Sequence, residues 1–175
     1  MINKFIVDAN VFLQGKNFHY HFDFCEGFWD WIHAGYNQGL IFSIAKVRAE
    51  LVAGIKGDKA RAWAEAMPKD FFLDDTGDAK VMAAYAEAMT WANASTHYTA
   101  NAKKVFAESK RADAFLLAYA KAHGHVIVTQ EKSNPEAKRS IPIPDAASQL
   151  GGIKPTVTIY ELLKLHAKPT FVFKP

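Results

Sequence analysis

Three short stretches of this sequence are apolar without interruption, and they limit the folds open to it. They are 4–8 (Lys-Phe-Ile-Val-Asp), 39–44 (Gly-Leu-Ile-Phe-Ser-Ile) and 125–129 (His-Val-Ile-Val-Thr). A strand with one wet face alternates apolar and polar residues. A continuous run marks a strand covered on both faces, as in a parallel sheet. Helical periods separate the runs, over about 26–36, 44–56, 58–67, 78–94 and 100–123. Strand–helix alternation of this kind predicts an α/β fold with right-handed crossovers. A chain of 175 residues, 50% hydrophobic and 13% aromatic, can bury a substantial core, which excludes a disordered tail or linker.

Other local signals punctuate the chain. Gly124 is placed to stop the long helix before the third strand. Ile141-Pro142-Ile143-Pro144-Asp145 predicts an extended entry into a helix from near Ala146, with Asp145 as its N-cap. Thr158-Ile-Tyr-Glu161 has the form of a capping box, and Thr170-Phe-Val-Phe has that of a last edge strand. Residues 131–140 are polar, contain Asn-Pro and show no apolar period, so they predict a loop. The opening apolar run is broken by Asp8, unlike a signal peptide, and no stretch approaches the length of a membrane span. With one cysteine, Cys25, a disulfide framework and a cysteine zinc knuckle are excluded, and a cytoplasmic protein is expected.

Four acids stand in unusual places. Asp8 ends the first strand, where open α/β sheets bind ligands. Glu50 shares a helical face with Val47, Leu51 and Gly54, and Asp113 shares one with Leu116, Leu117 and Ala120. Glu131 lies two residues past Thr129, beyond the end of the third strand. A structural role exists for each alone: an N-cap for Asp8, a solvent-reaching edge for Glu50, a salt bridge to Lys110 or Arg111 for Asp113, a polar loop for Glu131. Together they can meet at one end of one sheet. Four crowded carboxylates repel unless cations fill the gap, and hard oxygen donors suit Mg²⁺ or Mn²⁺. A two-metal carboxylate site is the usual apparatus of in-line phosphodiester hydrolysis.

The motifs around these acids are Asp8-Ala9-Asn10, Val47-Arg-Ala-Glu50-Leu51, Ala112-Asp113-Ala-Phe-Leu-Leu-Ala-Tyr-Ala120 and Val-Ile-Val-Thr129-Gln-Glu131. In that order, over roughly 3–165, the chain resembles the PIN-domain ribonucleases, the family that includes VapC-type toxins. Asp-Ala-Asn-Val-Phe and Phe28-Trp29-Asp30-Trp31 look most like an uncharacterised branch of PIN-like proteins. The resemblance implies a single PIN-like domain over 1–175, a three-layer α/β/α fold with a central, mainly parallel sheet. Its helical segment at about 57–110 is larger than in the smallest toxins, and Glu131 stands where the family usually has Asp. It implies a metal-dependent endoribonuclease that hydrolyses RNA phosphodiester bonds, the toxin of a toxin–antitoxin pair. Asp8, Glu50, Asp113 and Glu131 would hold one or two Mg²⁺ or Mn²⁺ ions, with Asn10 and Thr129 orienting carboxylates or waters. RNA, an antitoxin and a second copy of the chain are the implied partners.

The net charge of +3 permits a nucleic-acid partner without demanding one. Residues 101–140 nevertheless carry eight Lys or Arg against four acids. Among them Lys110, Arg111, Lys132, Lys138 and Arg139 flank two proposed ligands and are candidate phosphate contacts. The aromatic stretch Phe18–Phe24, with Phe28, Trp29 and Trp31, is expected in the core or at a homodimer face rather than under stacked bases. His19 and His21 lack further ligands at recognisable spacing, and Cys25 is expected as a small buried hydrophobe. The alternative of a different class is a non-catalytic PIN module that binds RNA or a protein partner.

Overall fold

A computed structural model describes residues 3–168. The three apolar runs form β1 (Phe5–Val7), β2 (Ile41–Ile44) and β4 (Val126–Val128). A short strand that periodicity does not reveal, β3 (Phe72–Leu73), completes the sheet. The order is β3-β2-β1-β4, with every neighbouring pair parallel. Phe5 pairs with both Ile41 and Val126, so β1 is central and its three residues are all buried. Val157 adds a single parallel bridge to Val128 beyond β4.

Nine helices surround this sheet among the described residues. They are α1 (Ala9–Gln14), α2 (Glu26–Asn37), α3 (Ala45–Val52), α4 (Lys59–Ala66), α5 (Ala79–Ala94), α6 (Ala100–Phe106), α7 (Asp113–His123), α8 (Ile143–Leu150) and α9 (Ile159–His166). The arrangement is a three-layer α/β/α sandwich. Helix α7 is buried at every position from Ala114 to Ala120, because it packs against α5, α8 and β4 together. That explains a helix apolar all round. The face of α5 turned to it is Val81, Ala84, Ala88 and Ala92, small residues that allow close approach. On α1, α2 and α4, Phe12, Trp29 and Trp63 join Phe71 in an aromatic cluster with ring centroids 5.0–6.4 Å apart. Burying one such side chain fully contributes roughly 1.5–3 kcal/mol.

Several expected boundaries move. The helix expected over 100–123 is two, because 107–111 is polar and exposed and the Ala112 N–H is taken by the Glu50 carboxylate at 2.8 Å. Helix α3 stops at Val52, so Gly54 lies beyond it. Helix α8 begins at Ile143, with Pro144 in its first turn, where a missing N–H costs nothing. Asp145 is therefore inside the helix rather than its N-cap. Gly124 takes the left-handed conformation (φ 68°) that ends α7, and Thr158–Glu161 forms the expected capping box on α9. The strand expected at 170–173 lies outside the described residues. In the aromatic stretch, Phe28 and Trp29 are core residues, whereas Phe18 and Phe24 are exposed. His19 packs edge-on to Tyr160 at 5.9 Å, and Cys25 is half-buried at the start of α2. No described helix is long and apolar enough to cross a membrane.

Candidate active site at the carboxyl end of the sheet

Asp8 follows β1 directly, and its backbone N–H extends the ladder to the Val128 carbonyl at 2.9 Å. It occupies the N-cap position of α1, yet its side chain makes no cap bond. Instead its Oδ2 accepts from the Thr129 hydroxyl at 2.8 Å, with the residue only 4% exposed. The Thr129 Oγ1 accepts in turn from the Asn10 amide at 2.9 Å and from the Glu131 N–H at 3.2 Å. The Asn10 carbonyl oxygen accepts from the Gln130 N–H at 3.0 Å. Asn10 and Thr129 thus tie the end of β1 to the end of β4 and hold the Asp8 carboxylate in place.

The other three acids approach from separate elements. Glu50, on α3, points its Oε1 at the Ala112 N–H in front of α7. Asp113 is the first residue of α7 and is half-buried. Glu131 accepts from the Ile143 N–H at 2.7 Å with its Oε2, so the extra methylene of Glu reaches the start of α8. Oδ1 of Asp8, Oε2 of Glu50 and Oε1 of Glu131 carry no hydrogen bond among the described residues.

Electrostatics couple the four into one cluster. Burial, then the charge of Asp113, pushes the Asp8 carboxyl up to about 8; Glu131 and Glu50 add to this, and the Thr129 hydrogen bond opposes it. Burial also raises Glu50, Asp113 and Glu131. The Arg111 guanidinium works against that rise in all three. Its Nε lies 3.7 Å from an Asp113 oxygen, a pairing allowed because Arg111 precedes the helix rather than lying on it. Among the described residues no three acids or imidazoles converge into a ready-made metal cage. Repulsion between carboxylates with one nearby cation opposes such convergence. The donor set, all carboxylate oxygen with a buried Asp8 at its centre, fits a hard divalent cation such as Mg²⁺ or Mn²⁺.

Beside the cluster lies an open cleft of about 340 Å³ between α6 and the 131–142 loop. Asp113 and Glu131 line it together with Arg111, Lys132 and Arg139. Lys110 and Lys138 are exposed but do not line it. Asp145, buried at 5% exposure, accepts from the Ser133 hydroxyl at 2.6 Å and the Asn134 N–H at 2.8 Å. It anchors the basic loop.

Asp75 escapes the sequence reading altogether. It is buried beyond β3 and accepts from the Lys46 N–H at 2.7 Å, closing the first turn of α3. The signal was present in Phe72-Leu73-Asp74-Asp75, an apolar pair followed by acids, like the end of β1. The pair is too short to register as a strand by period.

No curated protein and no solved structure matches the chain. A family model matches residues 5–168, nearly the whole length, and by it the chain belongs to a family described as a domain of unknown function (DUF4411).

Proposed function

We propose that the protein is a PIN-like, metal-dependent endoribonuclease that hydrolyses RNA phosphodiester bonds. The observation that carries this reading is electrostatic. Four carboxylates from four separate elements act on one another at the carboxyl end of a parallel sheet, and the most buried, Asp8, is raised to about 8. A surface built only to bind a polyanion has no use for such a cluster.

Asp8, Glu50, Asp113 and Glu131 would hold one or two Mg²⁺ or Mn²⁺ ions. When bound, the ions supply Lewis-acid activation of water and stabilise the departing 3′-oxygen. The chain's own groups do the rest. Thr129 and Asn10 fix the Asp8 carboxylate through the chain of hydrogen bonds above, which limits its rotation when charge around it changes. The Ala112 and Ile143 N–H groups orient Glu50 and Glu131, leaving one oxygen of each for an ion. Arg111, Lys132 and Arg139 present cations to the phosphates along the cleft.

The resemblance to VapC-type toxins supports a role as the toxin of a toxin–antitoxin pair, acting in the cytoplasm, with an antitoxin and a second copy of the chain as partners. The hydrogen bonds that engage Glu50 and Glu131 favour one second reading, a non-catalytic module that binds RNA or a protein partner. Incubation of total cellular RNA with Mg²⁺ or Mn²⁺ separates the two. Discrete fragments that disappear with EDTA and with Asp8→Asn are expected. Cleavage that persists in Asp8→Asn, with contaminating nuclease excluded, would sink the site assignment. Failure of the wild type to bind either metal would leave the binding module.

A further inference from the structure

The cleft beside the acids is more elaborate than phosphate neutralisation requires. Its lining includes the apolar Val105, Ile141 and Pro142, and Arg111, Lys132 and Arg139 are its exposed cations. A volume of about 340 Å³ lies at the small end of ligand sites, which run from roughly 300 to 1,000 Å³. Such sites pair an apolar lining with a few placed polar groups.

The loop that forms one wall is held from two sides. The His97 ring meets the Ala137 carbonyl at 2.9 Å, and the Thr99 N–H donates to the Lys138 carbonyl at 2.9 Å. Asp145 holds Ser133 and Asn134 from the other side. A polar loop serving only as a connection needs no buried carboxylate to shape it. Fixing the loop before a ligand arrives removes an ordering cost from binding.

We infer that this cleft is a nucleotide subsite, taking a single nucleotide next to the scissile phosphate. The base lies against Val105, Ile141 and Pro142, and the phosphates face Arg111, Lys132 and Arg139. Asn134, whose side chain is exposed in the cleft lining, is the polar group placed to meet a base edge. This deepens the nuclease reading and rests on it for the position of the scissile bond. It makes the enzyme selective for the base beside the cut rather than for phosphate alone.

The test is titration of the full chain, in EDTA, with AMP, GMP, CMP, UMP and ribose 5-phosphate, followed by NMR or calorimetry. At least one nucleoside monophosphate is expected to bind about tenfold more tightly than ribose 5-phosphate, the gain from burying one face of a base. Arg139→Ala, an exposed change that leaves the core alone, should weaken all of these ligands. Val105→Ser should weaken the nucleotides and leave ribose 5-phosphate unchanged. Equal binding of ribose 5-phosphate and all four nucleotides would overturn the subsite and leave a phosphate surface. Absence of binding by every ligand would overturn it too. Mn²⁺ binding to the wild type, measured separately by electron paramagnetic resonance, reports on the metal site. Its failure would remove the nuclease reading without touching the nucleotide result.

Discussion

Replacing Asp8 by Asn removes a charge and little else. The side chains are nearly the same size, and the Asn carbonyl oxygen can accept the Thr129 hydroxyl that Asp8 Oδ2 now accepts. In the metal-free protein Asp8 titrates at about 8 rather than 3.8, chiefly through burial and then the charge of Asp113. Between those two values the folded state keeps a proton that the unfolded state has lost. The stability associated with the protonated carboxyl is therefore complete below pH 3.8 and is lost progressively up to about pH 8. Each tenfold change in proton affinity is worth about 1.4 kcal/mol, so the upper bound on the loss is about 6 kcal/mol. Relaxation and water entry around four mutually repelling acids reduce this to about 3 kcal/mol. Asp8→Asn escapes the loss. In EDTA at pH 8 it should melt about 5–10 °C above wild type, a gain that shrinks nearly to nothing at pH 4. Adding Mg²⁺ should close most of that gap, because saturation to a hundred times the dissociation constant stabilises wild type by about 2.7 kcal/mol and the variant far less. Calorimetric melts at pH 4, 6 and 8, with and without Mg²⁺, measure all of this. A variant no more stable than wild type at pH 8 in EDTA, or a difference that ignores pH, would refute the reasoning.

Three further outcomes can be checked. Burial lowers the His125 imidazole to about 4 from 6.5, and its Nδ1 has no hydrogen-bond partner among the described residues, so the unfolded state binds the proton more readily. Stability is then intact above pH 6.5 and falls towards pH 4; since the ring is only half-buried the loss is about 1–2 kcal/mol, and His125→Phe should flatten denaturant midpoints across that window. A Cβ on Gly35 would clash with the Ile41 side chain, so Gly35→Ala should destabilise by about 1–3 kcal/mol in a urea titration despite its better helix propensity. Arg111→Ala removes the cation beside Asp113, so calorimetry should show divalent ions binding severalfold more tightly, while RNA binding weakens and its logarithmic salt slope falls by about one.

The strands were legible because burial on both faces demands apolar residues at every position, and Phe5-Ile6-Val7 and Val126-Ile127-Val128 show it without any reference to partners. The acids were legible for the converse reason, since a carboxylate at the end of such a run, or on an apolar helix face, contradicts its surroundings. Strand β3 was not legible, because two residues carry no period, and with it went Asp75. The break before α7 was not legible either. Ala100 to His123 contains no glycine or proline, yet the first helix ends at Phe106 and the second starts only after Ala112, whose N–H a carboxylate 62 positions away captures.

The sequence by itself determined the class of fold, the end of the sheet at which Asp8, Glu50, Asp113 and Glu131 can meet, and the basic character of the surroundings. Tertiary structure alone decided what each group touches. It set Thr129 against Asp8 across 121 positions, gave Glu131 to the first N–H of α8, paired Arg111 with Asp113, and turned Asp145 from a helix cap into the anchor of the basic loop. Periodicity reports the side of an element that must be dry, which is a local property of one helix or strand. A hydrogen-bond partner depends on where distant backbone comes to rest, and that exists only once the layers have packed.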